Sequence, residues 1–353
     1  MIRRSVWSAK ERNGMLFTIT SLISNEVCEK SEKLINRGGT LKGVICLGEA
    51  LIDFIPLDSS NITYEKCPGG APANVAVGIA RLGGKASFLG KVGKDVLGDF
   101  LIQTLDNYGV NVQKCYQTEE AKTGLVFVTN QESGERSFDF YIRRSADQLI
   151  SKEEITPDFF DQHNVLHIGS ISMIQEPART ATIEAVRLAK QKGLLLSYDP
   201  NLRLGLWETP EAAKEQIMSL LKEADVLKIS EEELTFLTDK ADIAEGLLEL
   251  QSYHIPLILV TLGEEGSIIH YKGESERVQA MKVKAVDTTG AGDAFVSAIL
   301  YQLSEQDTDL NSLSMTELVQ FAKFASISGG LAASVKGAMT ALPTKEQVSS
   351  LMR

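Results

Sequence analysis

From residue 43 onward the chain alternates short apolar runs with amphipathic stretches. Gly43–Gly48 is an unbroken apolar run, as expected of a strand buried on both faces. Ala71–Leu82 predicts a helix, with Pro72 in its first turn and Gly83 as its stop. Ala86–Gly90 predicts a strand. Val96–Asn107 places Val96, Phe100, Leu101 and Leu105 near helical spacing and closes on Gly109. Gly124–Asn130 and Arg136–Ile142 alternate like the arms of a hairpin around Glu132-Ser133-Gly134-Glu135. After about residue 160 the rhythm is regular. Strands are predicted at Val165–Ile168, Leu194–Tyr198, Val226–Ile229 and Leu257–Thr261, and helices at Ala178–Gln191, Glu211–Glu223, Glu231–Leu237 and Ile243–Ser252. Ile268–Tyr271 and Val278–Val286 predict an antiparallel edge, and Leu318–Ser334 a late helix. Strands alternating with helices imply an α/β domain with a mainly parallel sheet covered on both faces. Residues 54–67 and 121–145 are strand-like but fall outside this rhythm, so they predict a small separate β sheet hinged on the main domain.

Composition narrows the class. The 353 residues are 43% hydrophobic and 24% charged, as in a globular protein with a sizeable core. The formal charge of 36 − 47 = −11 argues against a nucleic-acid or anionic-membrane surface, though not against a small anionic substrate. No apolar run reaches membrane-spanning length. Cys28, Cys46, Cys67 and Cys115 form no C-x-x-C pair, and a cytoplasmic location is the simplest expectation. His163, His167, His254 and His270 have no metal-binding spacing. Residues 1–42 differ from the remainder. Arg3, Arg4, Lys10 and Arg12 suit a transit peptide, but Glu11, Glu26, Glu29 and Glu32 do not. We therefore expect a poorly ordered extension at 1–42 and one domain over 43–353.

Candidate chemistry is densest at Asp287-Thr288-Thr289-Gly290-Ala291-Gly292-Asp293, between the predicted strand and the apolar stretch Ala294–Leu300. A helix that starts there presents unpartnered N–H groups and the positive end of its dipole. Gly290, Ala291 and Gly292 leave those groups open to an anion, and Asp293 beside them can take a proton from a hydroxyl. The same stretch also reads as a plain glycine turn with a first-turn acid.

Gly69-Gly70-Ala71-Pro72-Ala73-Asn74 is the second signal. Its paired glycines permit close approach to the backbone, and Asn74 offers the mixed donors and acceptors that a polyol needs. Asp53, read as the end of the first strand, can accept from hydroxyls or simply be solvated. Arg203 in Asp199-Pro200-Asn201-Leu202-Arg203, and Arg143 and Arg144 after the hairpin, can reach an anionic ligand or lie in solvent. Glu233, Thr261, Gly263 and Gly266 follow strands, where a nucleotide and its Mg²⁺ would sit. Neither a Walker loop after a strand nor a G-x-G-x-x-G after the first strand is present.

With both motifs in order, the chain from about Gly43 to its end resembles the ribokinase-like, or phosphofructokinase-B-type, carbohydrate kinases. It is most similar to the fructokinase branch through Gly48–Asp53, Gly70–Ala76 and Asp199–Arg203 followed by Leu206-Trp207. The resemblance implies a three-layer α/β/α domain with a β lid, often used to form a homodimer, and phosphorylation of a sugar's primary hydroxyl by ATP. A lid of this kind would exclude water from the transfer. The resemblance also makes Asp293 the base and Gly290–Gly292 the anion hole, with Asp53, Gly70 and Asn74 on the sugar and Glu233 in the Mg²⁺ network. A monovalent cation, K⁺, is implied at Asp287 and Thr289 with the carbonyls of Ala332, Val335 and Gly337. The family usually has Asn where Ser230 stands, three residues before Glu233; its lid arginine is displaced here to Arg143 or Arg144, and Ala341 replaces a serine seen in some relatives. The expectation is a fructokinase. The alternatives are a 2-keto-3-deoxygluconate or nucleoside kinase, or a non-catalytic sensor on the same fold.

Overall fold

The computed structural model describes residues 42–130, 136–141, 143–306 and 309–352. The expectations for the extension at 1–41 and for the hairpin turn at 132–135 lie outside the described residues. In chain order the first half runs β1 (Gly43–Leu47), β2 (Leu51–Pro56), β3 (Tyr64–Gly69), α1 (Ala71–Arg81), β4 (Ala86–Gly93), α2 (Val96–Asn107), β5 (Asn111–Thr118), β6 (Leu125–Asn130) and β7 (Arg136–Tyr141). Next come β8 (His163–Ile168), α3 (Ala178–Gln191), β9 (Leu195–Tyr198), α4 (Pro210–Leu221), β10 (Val226–Ser230), α5 (Glu231–Thr238), α6 (Ile243–Leu250) and β11 (Leu257–Thr261). The chain finishes with β12 (Ser267–Tyr271), β13 (Glu274–Val278), α7 (Ala291–Ser304), α8 (Met315–Ala333) and α9 (Lys345–Ser349).

β1 shows how the layers arise. All five of its residues are buried, and successive side chains point to opposite faces. Val44 and Cys46 enter a core built with α1, α2, α7 and α8; Ile45 and Leu47 enter another built with α3, α4, α5 and α6. Each fully buried aliphatic side chain contributes roughly 1.5–3 kcal/mol. The large sheet has the order β13-β12-β11-β10-β9-β8-β1-β4-β5, parallel from β11 to β5 and antiparallel at β12 and β13. The second sheet, β3-β2-β6-β7, pairs β2 with β6 in parallel and is otherwise antiparallel. This is the expected three-layer α/β/α domain with a separate small sheet.

Three details depart from the sequence reading. The first strand ends at Leu47, so Asp53 does not close it. Gly48 turns the chain at φ 150°, where a Cβ would come within 2.6 Å of the Pro72 ring, and Asp53 lies within β2 of the small sheet. The second edge strand is Glu274–Val278, and residues 279–286 form no strand. That segment is laid along α8 instead: the Met281 N–H donates to Ser326 Oγ at 3.0 Å, and the Val286 N–H donates to the Ala333 carbonyl at 2.8 Å. Half-buried Met281 and Val283 alternate with exposed Lys282 and Lys284 without a strand partner. β5 gave no apolar signal because it is a half-exposed edge strand.

Candidate active site

α1 and α7 pack side by side. Gly78 faces Ser297, and a Cβ there would run into the serine side chain. This close packing brings their first turns together. Asn74, 5% exposed, donates from Nδ2 to Asp293 Oδ2 at 2.8 Å, joining motifs 219 positions apart. A carboxylate only accepts, so Asn74 must turn its amide nitrogen to it. Its Oδ1 is then left buried without a partner among the described residues. An unsatisfied buried acceptor costs about 1–3 kcal/mol, which a ligand hydroxyl would recover.

Both helices open on a cleft of about 1060 Å³ along the carboxyl ends of the parallel strands. Asp53, Ile55, Val126, Val128, Phe138 and Phe140 line it from alternate positions of β2, β6 and β7, so one face of the small sheet roofs it. The opposite face carries Phe54 stacked on Phe127 at 4.8 Å, with Tyr64 and Tyr141 edge-on to Phe127. Gly290 caps α7 in the left-handed region at φ 79°, with Ala338 Cα 3.0 Å from where a Cβ would stand. Gly290 and Gly292 line the cleft. The N–H of Ala291 donates to the Thr288 carbonyl at 3.2 Å, and Ala291 does not line the cleft.

Burial raises the Asp293 pKa to about 6; the hydrogen bond from Asn74 and the charges of Lys228 and Arg203 oppose that rise, and Asp199 adds to it. Asp53 is pushed up to about 7 by burial and then by the charge of Asp293, with Arg203 opposing. A Cβ on Gly69 would collide with Asp53 Oδ2, so Gly69 acts by leaving room for that carboxylate although it does not itself line the cleft. Gly70, at φ 101°, and Arg203 do line it. Arg143 and Arg144 are exposed and do not.

At the far end, Ser230 and Glu233 form a capping box on α5. Glu233 Oε2 accepts from the Ser230 N–H at 2.8 Å, and its Oε1 accepts from the Leu202 N–H at 2.7 Å. Burial raises the Glu233 pKa, while Lys228 and these backbone donors pull it down. Thr261 and Gly263 line the cleft; Gly266 does not, and at φ 104° it serves the turn before β12. No group of three or more His, Cys, Asp or Glu side chains is placed to hold a metal among the described residues. Buried Asp287 accepts from the N–H of Thr289 at 3.0 Å and of Gly337 at 3.2 Å, gathering three of the five positions expected around a monovalent cation. The Ala332 carbonyl accepts from the Val335 N–H at 3.2 Å.

Two cleft residues escaped the sequence reading. Glu49 accepts from the Ala71 N–H at 3.0 Å and is pushed up to about 8 by burial. Lys228 is the other, and a lysine inside the buried run Val226–Ile229 was the available signal.

An acid beside a helix N-terminus and an unpartnered amide oxygen in the same cleft of an α/β/α domain suit the phosphorylation of a small polyol. The family model for pfkB family carbohydrate kinases matches residues 41–345, and the chain belongs to that family. It is 46% identical over 329 residues to a probable chloroplastic fructokinase-6 of Arabidopsis thaliana, covering 90% of this chain and 85% of that protein. Among solved structures, a double mutant of fructokinase from Vibrio cholerae O395, in a fructose-, ADP- and potassium-bound form, superposes with a TM-score of 0.83. It is 40% identical and covers 90% of this chain and all of that one (100%). Aminoimidazole riboside kinase from Salmonella enterica, complexed with its riboside and an ATP analogue, gives 0.78 at 31% identity, covering 87% and 98%. The fold is thus ribokinase-like. No helix among the described residues is long and apolar enough to cross a membrane.

Proposed function

We propose that this carbohydrate kinase is a fructokinase that transfers the γ-phosphoryl group of ATP to the 6-hydroxyl of fructose. The observation that carries the reading is the 2.8 Å bond between Asn74 and Asp293, which unites the polyol motif and the phosphate motif in one cleft. Asn74, Asp53 and the Gly70 backbone hold the sugar, and Asn74 Oδ1 gains the partner it lacks. Asp293 takes the hydroxyl proton as the oxygen attacks phosphorus. The turn at Gly290 and Gly292, at the positive end of α7, stabilises the charge on the phosphoryl oxygens. The small sheet closes over the sugar and excludes water.

Mg²⁺ supplies charge neutralisation to the phosphates when bound. Both Glu233 oxygens already accept backbone bonds, so the ion would be held chiefly by the nucleotide and water, with Ser230 and Glu233 acting through that water. A K⁺ ion fits beside Asp287, where it would stiffen the turn that carries Gly290.

Fructose is preferred over 2-keto-3-deoxygluconate because two carboxylates, Asp53 and Asp293, face the sugar position, and a sugar acid would be repelled there. Release of ADP across a panel of fructose, the keto-deoxy acid and ribosides, with and without K⁺, tests the reading. A higher kcat/KM for the acid or a riboside overturns the fructose assignment, and sugar binding without ADP release would point to a sensor. The aromatic face around Phe127 supports a homodimer through the small sheet, which sedimentation at several concentrations tests. The acids among residues 1–42 support a cytosolic location, and chloroplast import of a fluorescent fusion would overturn it.

A further inference from the structure

Seven acidic side chains line the cleft, against two basic ones, Arg203 and Lys228. That balance is poor for receiving a polyanion such as ATP. Arg203 is exposed, and its charge acts on Asp53 and Asp293. Lys228 is different. It lies within a parallel strand of the large sheet, is 7% exposed, and is the buried cation of the cleft. Its Nζ is 3.0 Å from Asp199 Oδ2, and Asp199 is 3% exposed. It stands 3.3 Å from where a Cβ on Gly292 would be, so the ammonium lies against the first turn of α7, the end that presents N–H groups to an anion.

A buried ion pair is expensive and is often no more stable than a well-packed apolar pair. A purely structural pair would gain nothing from lying against the first turn of α7. We propose that Lys228 is a further catalytic residue, a side-chain cation that contacts the transferred phosphoryl group at the N-terminus of α7, with Asp199 as the carboxylate that holds it there. This rests on the phosphoryl-transfer reading of the cleft. In the transfer, the sugar oxygen forms its bond to the γ-phosphorus and its proton passes to Asp293. The bond from the γ-phosphorus to the β–γ bridging oxygen breaks, and ADP leaves with that electron pair. Lys228 keeps its protons and donates a hydrogen bond to a non-bridging oxygen of the group in flight. Burial opposes its charge, but Asp199, Glu233 and Asp293 more than restore it, so the ammonium persists at neutral pH.

The test uses the full chain with Lys228→Met, Lys228→Arg and the double variant Asp199→Asn/Lys228→Met, which replaces both buried charges with neutral groups of similar size. Melting curves establish folding, and ADP release gives kcat and KM for sugar and ATP. If Lys228 meets the phosphoryl group, the folded double variant stays about 100-fold or more below wild type in kcat with the sugar KM little changed, and Lys228→Arg recovers to within about tenfold. If the pair is structural, relieving the unpaired Asp199 restores the double variant to within about threefold, and the proposal is overturned. Should the wild type release no ADP on any sugar, the kinase reading fails by itself. ATP affinity by calorimetry then decides: a loss of about tenfold or more in the double variant keeps Lys228 as a phosphate contact, and unchanged affinity removes it.

Discussion

Replacing Asp293 with Asn should lower turnover and raise stability together. The wild-type carboxyl is buried, and its pKa is pushed up to about 6 from 3.8, first by desolvation. An acid whose folded value lies above its unfolded value binds its proton more tightly in the native state. Stability therefore falls as pH rises from about 4 to about 6 and stays reduced above that. The gap between 3.8 and about 6 amounts to about 3 kcal/mol at neutral pH, at 1.36 kcal/mol per tenfold in proton affinity. Asn removes that cost and keeps a side chain of the same shape beside Asn74. At about pH 7.5 the variant should melt roughly 5 °C above wild type, and the gain should vanish near pH 4. Turnover should fall by about 10²–10⁴-fold, the usual worth of a positioned base. In the wild type, kcat/KM should rise with pH through about 6 and then level, because only the ionised carboxylate accepts the hydroxyl proton. Coupled ADP release over pH 5–9 and calorimetry over pH 4–8 read both effects. A variant within about threefold of wild-type kcat refutes Asp293 as the base. A variant that melts lower at neutral pH refutes the electrostatic account.

Three other substitutions separate the parts of the cleft. Gly69→Ala would put a methyl group into Asp53 Oδ2, so the sugar KM should rise by about tenfold or more while the ATP KM holds; an unchanged sugar KM removes Asp53 from the sugar site. Gly290→Ala forces a side chain into the left-handed region at φ 79° and 3.0 Å from Ala338 Cα, which should cost about 1–2 kcal/mol or more in urea unfolding and lower kcat. Asp95→Ala loses the cap on α2, where Asp95 accepts from Leu97 and Gly98, and the tie to Thr123 that leads into β6. It should cost about 1–3 kcal/mol. Burial raises the Asp95 pKa, but its hydrogen bonds outweigh that and hold it below the usual carboxylate value, so its stabilisation is present at neutral pH and lost in acid. The difference between variant and wild type should therefore shrink as pH falls, and a difference that grows would refute the cap.

The parts of this protein that were legible in its sequence are those where one local rule suffices. β1 and β8 to β11 announce themselves because burial on both faces keeps their runs mainly apolar, and α1 does so through Pro72 and Gly83. The turn before α7 is equally local: the left-handed backbone at Gly290 and the start of an apolar helix can both be read from a few residues. What stayed hidden depends on a partner far along the chain. Residues 281–284 alternate because α8 covers Met281 and Val283, and nothing within the segment distinguishes that from a strand. Asp53 looks like a strand end until β6 and β3 are seen to flank it in another sheet. Lys228 contradicts its own strand until Asp199, from the neighbouring loop, pairs with it. Arg143 and Arg144 have the right chemistry, but the hairpin delivers them to solvent, and the cation at the α7 end comes from the sheet instead. The residues that broke a local rule were thus the ones to question. A charge inside a buried strand costs several kcal/mol unless something in the fold receives it, and here the receiver is the buried Asp199 carboxylate, 3.0 Å from Lys228 Nζ.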